Sequence, residues 1–155
     1  MSNSVRVLSV LVEDGSGTLT KVTGMIRRRG FHVRAITVGP SGEPGRIRMT
    51  LQIDAGHAEV DQVRKQLERL VEVVEIEDLT EHDVHRRELV VARVAAAAVP
   101  ELVAKGARVL KPGPISTTIE FAGEDDEVQT FVEELRRYGI LDVVRSGPVV
   151  MRRTA

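Results

Sequence analysis

Apolar and polar positions follow one another along the chain in two similar passes. Val5 to Val12 is apolar at nearly every position, the pattern of a strand buried on both faces or central in a sheet. Glu13-Asp14-Gly15-Ser16-Gly17 then reads as a turn, with Ser16 placed to N-cap a helix that carries Leu19, Val22 and Ile26 inward. Gly30 closes that helix, because glycine takes the left-handed conformation at a helix end at little cost. Phe31 to Val38 predicts a second strand, Gly39 to Gly45 a long Gly/Pro-rich hairpin loop, and Ile47 to Ile53 the returning strand. A helix with its stripe at Val60, Val63, Leu67 and Leu70, then a valine-rich run from Val71 to Ile76, completes a β-α-β-β-α-β unit.

The order recurs 68 positions on. Thr50-Leu51-Gln52-Ile53 has a counterpart in Thr118-Ile119-Glu120-Phe121, and the helical stripe in Val128, Phe131, Leu135 and Tyr138. Around this block, Leu89 to Val94 predicts a strand and Ala95 to Lys105 a short helix broken or started at Pro100. Arg108 to Leu110 and Ile115 to Phe121 form a hairpin about Lys111-Pro112-Gly113-Pro114. Helix Asp125 to Arg137, strand Ile140 to Arg145 and a last edge strand, Val149 to Met151, follow. The polar, aperiodic stretch Glu81 to Arg86 marks the boundary. At about 70 residues each half has a marginal core. Two helices on one face of a four-stranded antiparallel sheet leave the other face bare. Alternation gives that face many Val, Ile and Leu side chains, so it is expected to pack against another copy, within the chain or between chains.

Composition narrows the chemistry. The chain has no cysteine, which removes disulfides, thiolate metal sites and cysteine nucleophiles together. Twenty-two lysines and arginines against 23 acidic residues give a net charge of −1, so no basic field recruits a phosphate backbone. Three Phe, one Tyr and no Trp supply few base-stacking platforms, and strand Ile47 to Ile53 carries none, against the alternative of an RNA-recognition module. No apolar run approaches a membrane span, and Met1 to Arg6 lacks a signal-peptide core, so the expectation is a cytoplasmic protein.

The segment Glu13 to Leu19 carries the most chemistry. It joins a strand end to the first turn of a helix, where free N–H groups and the helix dipole favour an anion. Gly17 leaves room for a ligand or a neighbouring backbone, and Asp14 supplies a charge suited to an ammonium. Together these are what a zwitterionic amino acid requires, although locally a solvated turn explains the segment more simply. Neither a dinucleotide fingerprint nor a Gly-Lys-Ser/Thr phosphate loop is present. Elsewhere, Arg27-Arg28-Arg29 and the acidic run Glu124 to Glu127 complement the dipoles of a helix end and a helix start. His82 and His85, beside Glu81 and Asp83, read as solvated linker in preference to a carboxylate–imidazole metal site. The Gly39 to Gly45 loop fits simple mobility and partner docking equally.

Val7 to Leu19 resembles the opening of the regulatory (small) subunits of acetolactate synthase. The resemblance continues through Val22-Thr23-Gly24-Met25, Arg29 to Val33, Ile36 to Pro40, Arg48 to Leu51 and Lys65 to Val73. It extends, more loosely, to Arg87-Glu88-Leu89 and Val143 to Gly147. The resemblance implies an α+β chain of two tandem ferredoxin-like βαββαβ domains: an ACT domain over 1–80, a linker over 81–86 and a C-terminal domain over 87–155. It implies no catalytic residues and no metal site on this chain. The expected partners are a second copy, joined through the ACT domains, and a large catalytic subunit that carries thiamine diphosphate, magnesium and FAD. The expected role is to activate that subunit and to pass on feedback inhibition by valine or a related branched-chain amino acid. Carried over by position, the effector contacts are Asp14, Gly17, Thr18, Leu19 and Thr20 from one chain, and His32 and Val33 from the other. Asp14 and His32 stand where the family commonly has asparagine. An ionised Asp14 accepts hydrogen bonds only, favouring the ammonium and opposing the carboxylate, and His32 would bring pH sensitivity near neutrality.

Two further readings differ in class. A small stand-alone enzyme would need a nucleophile beside a base or paired carboxylates, and the four histidines fall in no such pattern. An ACT-type sensor serving another enzyme would share the first half, but not the second-half motifs.

Overall fold

The computed structural model describes residues 4–153, so the N-terminal expectation at Met1 to Asn3 lies outside the described residues. The chain divides into two compact units, the second spanning His85–Met151. Each is built on an antiparallel sheet with helices on one face. The first runs β1 (Ser4–Glu13), α1 (Thr18–Arg28), β2 (His32–Pro40), β3 (Arg46–Ala55), α2 (His57–Leu67) and β4 (Val73–Asp78), with strand order β2-β3-β1-β4. In the second, β5 (Val84–Ala95) leads through a 3-10 turn, Ala96–Ala98, into α3 (Val99–Ala104). Strands β6 (Arg108–Lys111) and β7 (Ser116–Gly123), helix α4 (Asp125–Arg137), β8 (Ile140–Arg145) and β9 (Val149–Arg152) follow. Its order, β6-β7-β5-β8, repeats the first sheet strand for strand, and β9 pairs with β5 as an additional strand.

The repeated stripe explains the two cores. Val60, Val63 and Leu67 pack with Leu8, Val10, Val12, Met49, Leu51 and Ile53 in one. Their counterparts Val128, Phe131 and Leu135 pack with Val90, Ala92, Val94 and Ile119 in the other. Strand β1 lies inside its sheet and is buried on both parities, as its unbroken apolar run requires. Strand β5 instead alternates: Glu88, Val90, Ala92 and Val94 are buried, whereas Leu89 and Arg93 are exposed.

Several expectations are corrected. Leu70 and Tyr138 fall beyond the helices they were to continue, α2 ending at Leu67 and α4 at Arg137. The Gly39 to Gly45 loop is shorter than its composition implied, because β2 runs on to Pro40 and leaves only residues 41–45 to turn. An edge strand needs no donor at Pro40, so the proline is tolerated there. Strand β5 already begins at Val84, within the aperiodic stretch. The second-half helix is a 3-10 turn followed by only six α-helical residues, with Pro100 in the first turn, where its missing N–H costs nothing. On the helix-free face of the first sheet, apolar residues share the surface with polar ones: Val7 lies opposite Gln52, Ser9 opposite Thr50 and Leu11 opposite Arg48. No helix among the described residues is long and apolar enough to cross a membrane.

Candidate functional site

The β1–α1 turn is built by its neighbours as much as by its own residues. The backbone N–H of Asp14 donates to the carbonyl of Gly45 at 2.9 Å, and that of Glu13 to the carbonyl of Glu72 at 2.8 Å. Within the turn, Gly15 N–H bonds Glu13 O and Thr18 N–H bonds Gly15 O, at 2.9 and 3.2 Å. The Lys21 ammonium pairs with Glu72 and holds its carboxyl below the usual glutamate value, chiefly by donating a hydrogen bond to the charged form. Arg46 Nε lies 3.4 Å from the Glu13 carboxylate on the other side.

The helix cap is Gly17 rather than the expected Ser16. Its φ of 84° lies in the left-handed region, which a serine would occupy only with strain, and no side chain caps the helix. A Cβ built on Gly17 would meet nothing within 4 Å, so the space before α1 is open. With the helix starting at Thr18, the inward stripe is Thr18, Val22 and Ile26, spaced by four. Leu19, expected inward, is consequently 45% exposed at the turn, and Thr20 is exposed beside it. Thr18 is 1% exposed; its Oγ1 is buried without a hydrogen-bond partner and its N–H is taken by Gly15. Its side chain is thus buried beneath the turn, on the inward stripe of α1. Leu19 and Thr20 contribute first-turn N–H groups that have no acceptor within the helix.

His32 and Val33 lie elsewhere. His32 opens β2, exposed, with Nε2 4.0 Å from Oδ2 of Asp54, whose Oδ1 accepts from Arg34 Nε at 2.7 Å. Val33 is half-buried against the first core. Between them and the turn runs α1, whose 11 residues span about 16 Å at ~1.5 Å each. One chain therefore holds the two halves of the nominated site at opposite ends of a helix. Both line open ground: Gly30, Phe31, His32 and Val33 edge a cavity of about 410 Å³ between α1 and β2.

The described residues contain no cluster of three or more His, Asp or Glu placed to hold a metal. Glu81 is instead paired with Arg6 at 3.1 Å, and Asp83 with Arg153 at 3.5 Å. Residues that spacing did not flag are Gly45, Arg46 and Glu72, since only the sheet register and two loops bring them to the turn.

Comparison with known proteins follows the same division. Residues 8–75 match the family described as AHAS small subunit-like ACT domain, and residues 87–154 match the small subunit of acetolactate synthase. The chain belongs to the acetolactate synthase small-subunit family. Among its relatives, the probable acetolactate synthase small subunit of Methanothermobacter thermautotrophicus is 34% identical, over 99% of this chain and 95% of that one. The corresponding protein of Archaeoglobus fulgidus is 37% identical over 94% and 95%, and the small subunit of Haemophilus influenzae 33% over 96% and 95%. The crystal structure of the acetolactate synthase small subunit from Thermotoga maritima superimposes with a TM-score of 0.90 at 26% identity, covering 98% of this chain and 99% of that one.

Within this family member the repeat does not duplicate the turn. Leu51 faces Leu8, and its counterpart Ile119 faces Ala92, which along the strand aligns Asp14 with Ala98. There the chain passes from Ala96–Ala98 straight into α3, without a glycine or an acid before Glu101. The two motifs of the second half do meet each other. Arg145 donates from Nε and Nη2 to the two oxygens of Glu88, both at 2.8 Å, while Leu89 N–H donates to Ser146 Oγ at 3.0 Å. The buried carboxylate raises the Arg145 pKa further, so the guanidinium stays charged.

Proposed function

We propose that this chain is the regulatory subunit of acetolactate synthase. It activates a separate catalytic subunit that carries thiamine diphosphate, magnesium and FAD, and it passes on feedback inhibition by valine or a related branched-chain amino acid bound between two ACT domains. The family membership supports the coarse part of this reading. The observation that carries the finer part is the separation of the open turn from His32 and Val33 by the length of α1. A single small zwitterion reaches both only if a second chain, packed in the opposite sense, brings its own His32 and Val33 to the turn.

In that arrangement Asp14 faces the ammonium, the N–H groups of Leu19 and Thr20 face the carboxylate, and Gly17 leaves the approach clear. The exposed Leu19 and the half-buried Val33 offer apolar surface to a branched side chain. Inhibition then requires the effector to bind one arrangement of the dimer more tightly than the other, by about 1–3 kcal/mol for ordinary coupling. A methylene more or less changes affinity by about 1–3 kcal/mol, so valine, leucine and isoleucine are distinguished modestly.

The test is reconstitution. Purified chain is mixed with the catalytic subunit and acetolactate formation is followed with and without it, then with added valine, while calorimetry measures binding of valine, leucine and isoleucine to the chain alone. Activation together with saturable valine inhibition is expected. No binding of any of the three at millimolar concentration would remove the sensor role and leave the activator role standing.

A further inference from the structure

We propose that Glu72 is a positioning residue of the effector site: through Lys21 it holds the start of α1 in place of a helix cap, leaving that start open for the ligand. This role rests on the regulatory reading above and adds what keeps its site in shape. The three longer helices are started in two ways. In α2 the third residue, Glu59, accepts the Gly56 N–H at 2.6 Å, and in α4 the third residue, Glu127, accepts the Glu124 N–H at 2.8 Å. Each carboxylate folds back over its own helix start. Helix α1 has Thr20 in that position, with no side-chain cap and no acid in its first turn. A carboxylate folded back there would occupy the ground assigned to the effector's own. What α1 carries instead is Lys21, a cation that the helix dipole disfavours near an N-terminus unless it is paired. Its partner comes from outside the helix, as Glu72.

Glu72 reaches that place through an irregularity of the sheet. Strands β1 and β4 pair Leu11 with Glu75 but Val12 with Val73, which leaves Val74 as a bulge. Val73 thereby packs on the first core, and Glu72 comes level with Glu13, whose N–H its carbonyl accepts at 2.8 Å. Lys21 N–H meanwhile donates to Gly17 O at 2.9 Å. One residue therefore holds both ends of the turn: Glu13 through its carbonyl, and Gly17 through its carboxylate and Lys21. Replacing the Glu72 side chain leaves the first tie and cuts the second. The N–H groups of Leu19 and Thr20 then lose their fixed relation to Asp14. Affinity falls in proportion to the fraction of molecules in which the turn is correctly set.

The test measures valine binding to the full chain by calorimetry, and acetolactate formation by the chain reconstituted with the catalytic subunit across a valine titration. Glu72→Ala and Lys21→Met are each expected to raise the valine dissociation constant about fivefold, the scale of a partly exposed ion pair. The double variant is expected to stay at about fivefold, because the two substitutions cut one tie. Lys21→Arg, which keeps the pair, is expected to bind within about twofold of wild type. In the complex the half-inhibitory valine concentration moves by the same factor, while the depth of inhibition at saturation and the urea midpoint stay where they are in wild type. Wild-type affinity in Glu72→Ala would overturn the proposal, as would a loss of about 25-fold in the double variant, the product of two independent effects. Tighter binding in Glu72→Ala with weaker binding in Lys21→Met would overturn it too, marking a lysine that contacts the effector itself. Each of these results leaves the regulatory reading standing if Gly17→Asp still abolishes valine binding. A wild-type chain that binds no valine overturns both.

Discussion

Gly17 shows how much one residue carries. Its positive φ is needed for α1 to leave β1, and the space before it is empty. Gly17→Ala is expected to cost about 1–2 kcal/mol of stability through the left-handed backbone alone, read from a urea unfolding midpoint. Gly17→Asp adds a carboxylate where the effector's own carboxylate is proposed to sit, and is expected to abolish calorimetric valine binding; retained binding would place the effector elsewhere. Glu88 is the other residue with a large single role. It is 6% exposed and holds Arg145 by two bonds, but the arginine is 40% exposed on its side chain and can rehydrate. Glu88→Ala is therefore expected to cost about 1–3 kcal/mol, less than breaking a wholly buried pair. The Lys21–Glu72 pair makes a third case. Because the Glu72 pKa is lowered in the folded state, its contribution is present above the unfolded value and is lost as pH falls through the folded one. A carboxyl-carbon titration should place Glu72 below the ordinary glutamate range, and Lys21→Met should move it back toward that range, the backbone hydrogen bond remaining.

Among the elements, the helices show where repetition ends. Leu67 and Leu135 occupy the same place in α2 and α4, and both are fully buried. Either one changed to alanine is expected to cost about 2–5 kcal/mol, with faster amide exchange concentrated in β1 for the first and β5 for the second. The first-position helices differ more: α1 has 11 residues and α3 only six. The shorter helix covers less of its sheet, and the second unit has a cavity of about 710 Å³ lined by the stacked rings of Phe121 and Phe131, whose centroids are 4.3 Å apart. Arg87 and Lys105 at its rim are paired with Glu127 and Glu134, at 3.6 and 3.2 Å. The loss of a turn-and-glycine start in α3 is what leaves one candidate effector turn per chain.

For the molecule as a whole, the proposed activity depends on a second copy. Strand β2 is an edge of its sheet and exposes Ile36 and Val38, at 37% and 41%. An exposed apolar edge of this kind is where another sheet pairs. Ile36→Lys with Val38→Lys should shift the chain from dimer to monomer in sedimentation and remove valine binding with it; a dimer that persists with intact binding would put the interface on another face. Both βαββαβ units were legible in the sequence because burial imposes periodicity: two for strands, 3.6 for helices, repeated at the same spacing in each half. The β1–α1 turn stood out too, since glycine and an acid before an apolar stripe mark a helix start locally. What only the tertiary structure decided was orientation and company. Val22 and Ile26 face inward as their spacing predicts, but whether Thr18 or Leu19 completes the stripe was decided by how the first turn of the helix meets the core. That Gly45, Arg46 and Glu72 meet at the turn depended on strand register and loop packing, long-range relations with no periodic trace along the chain.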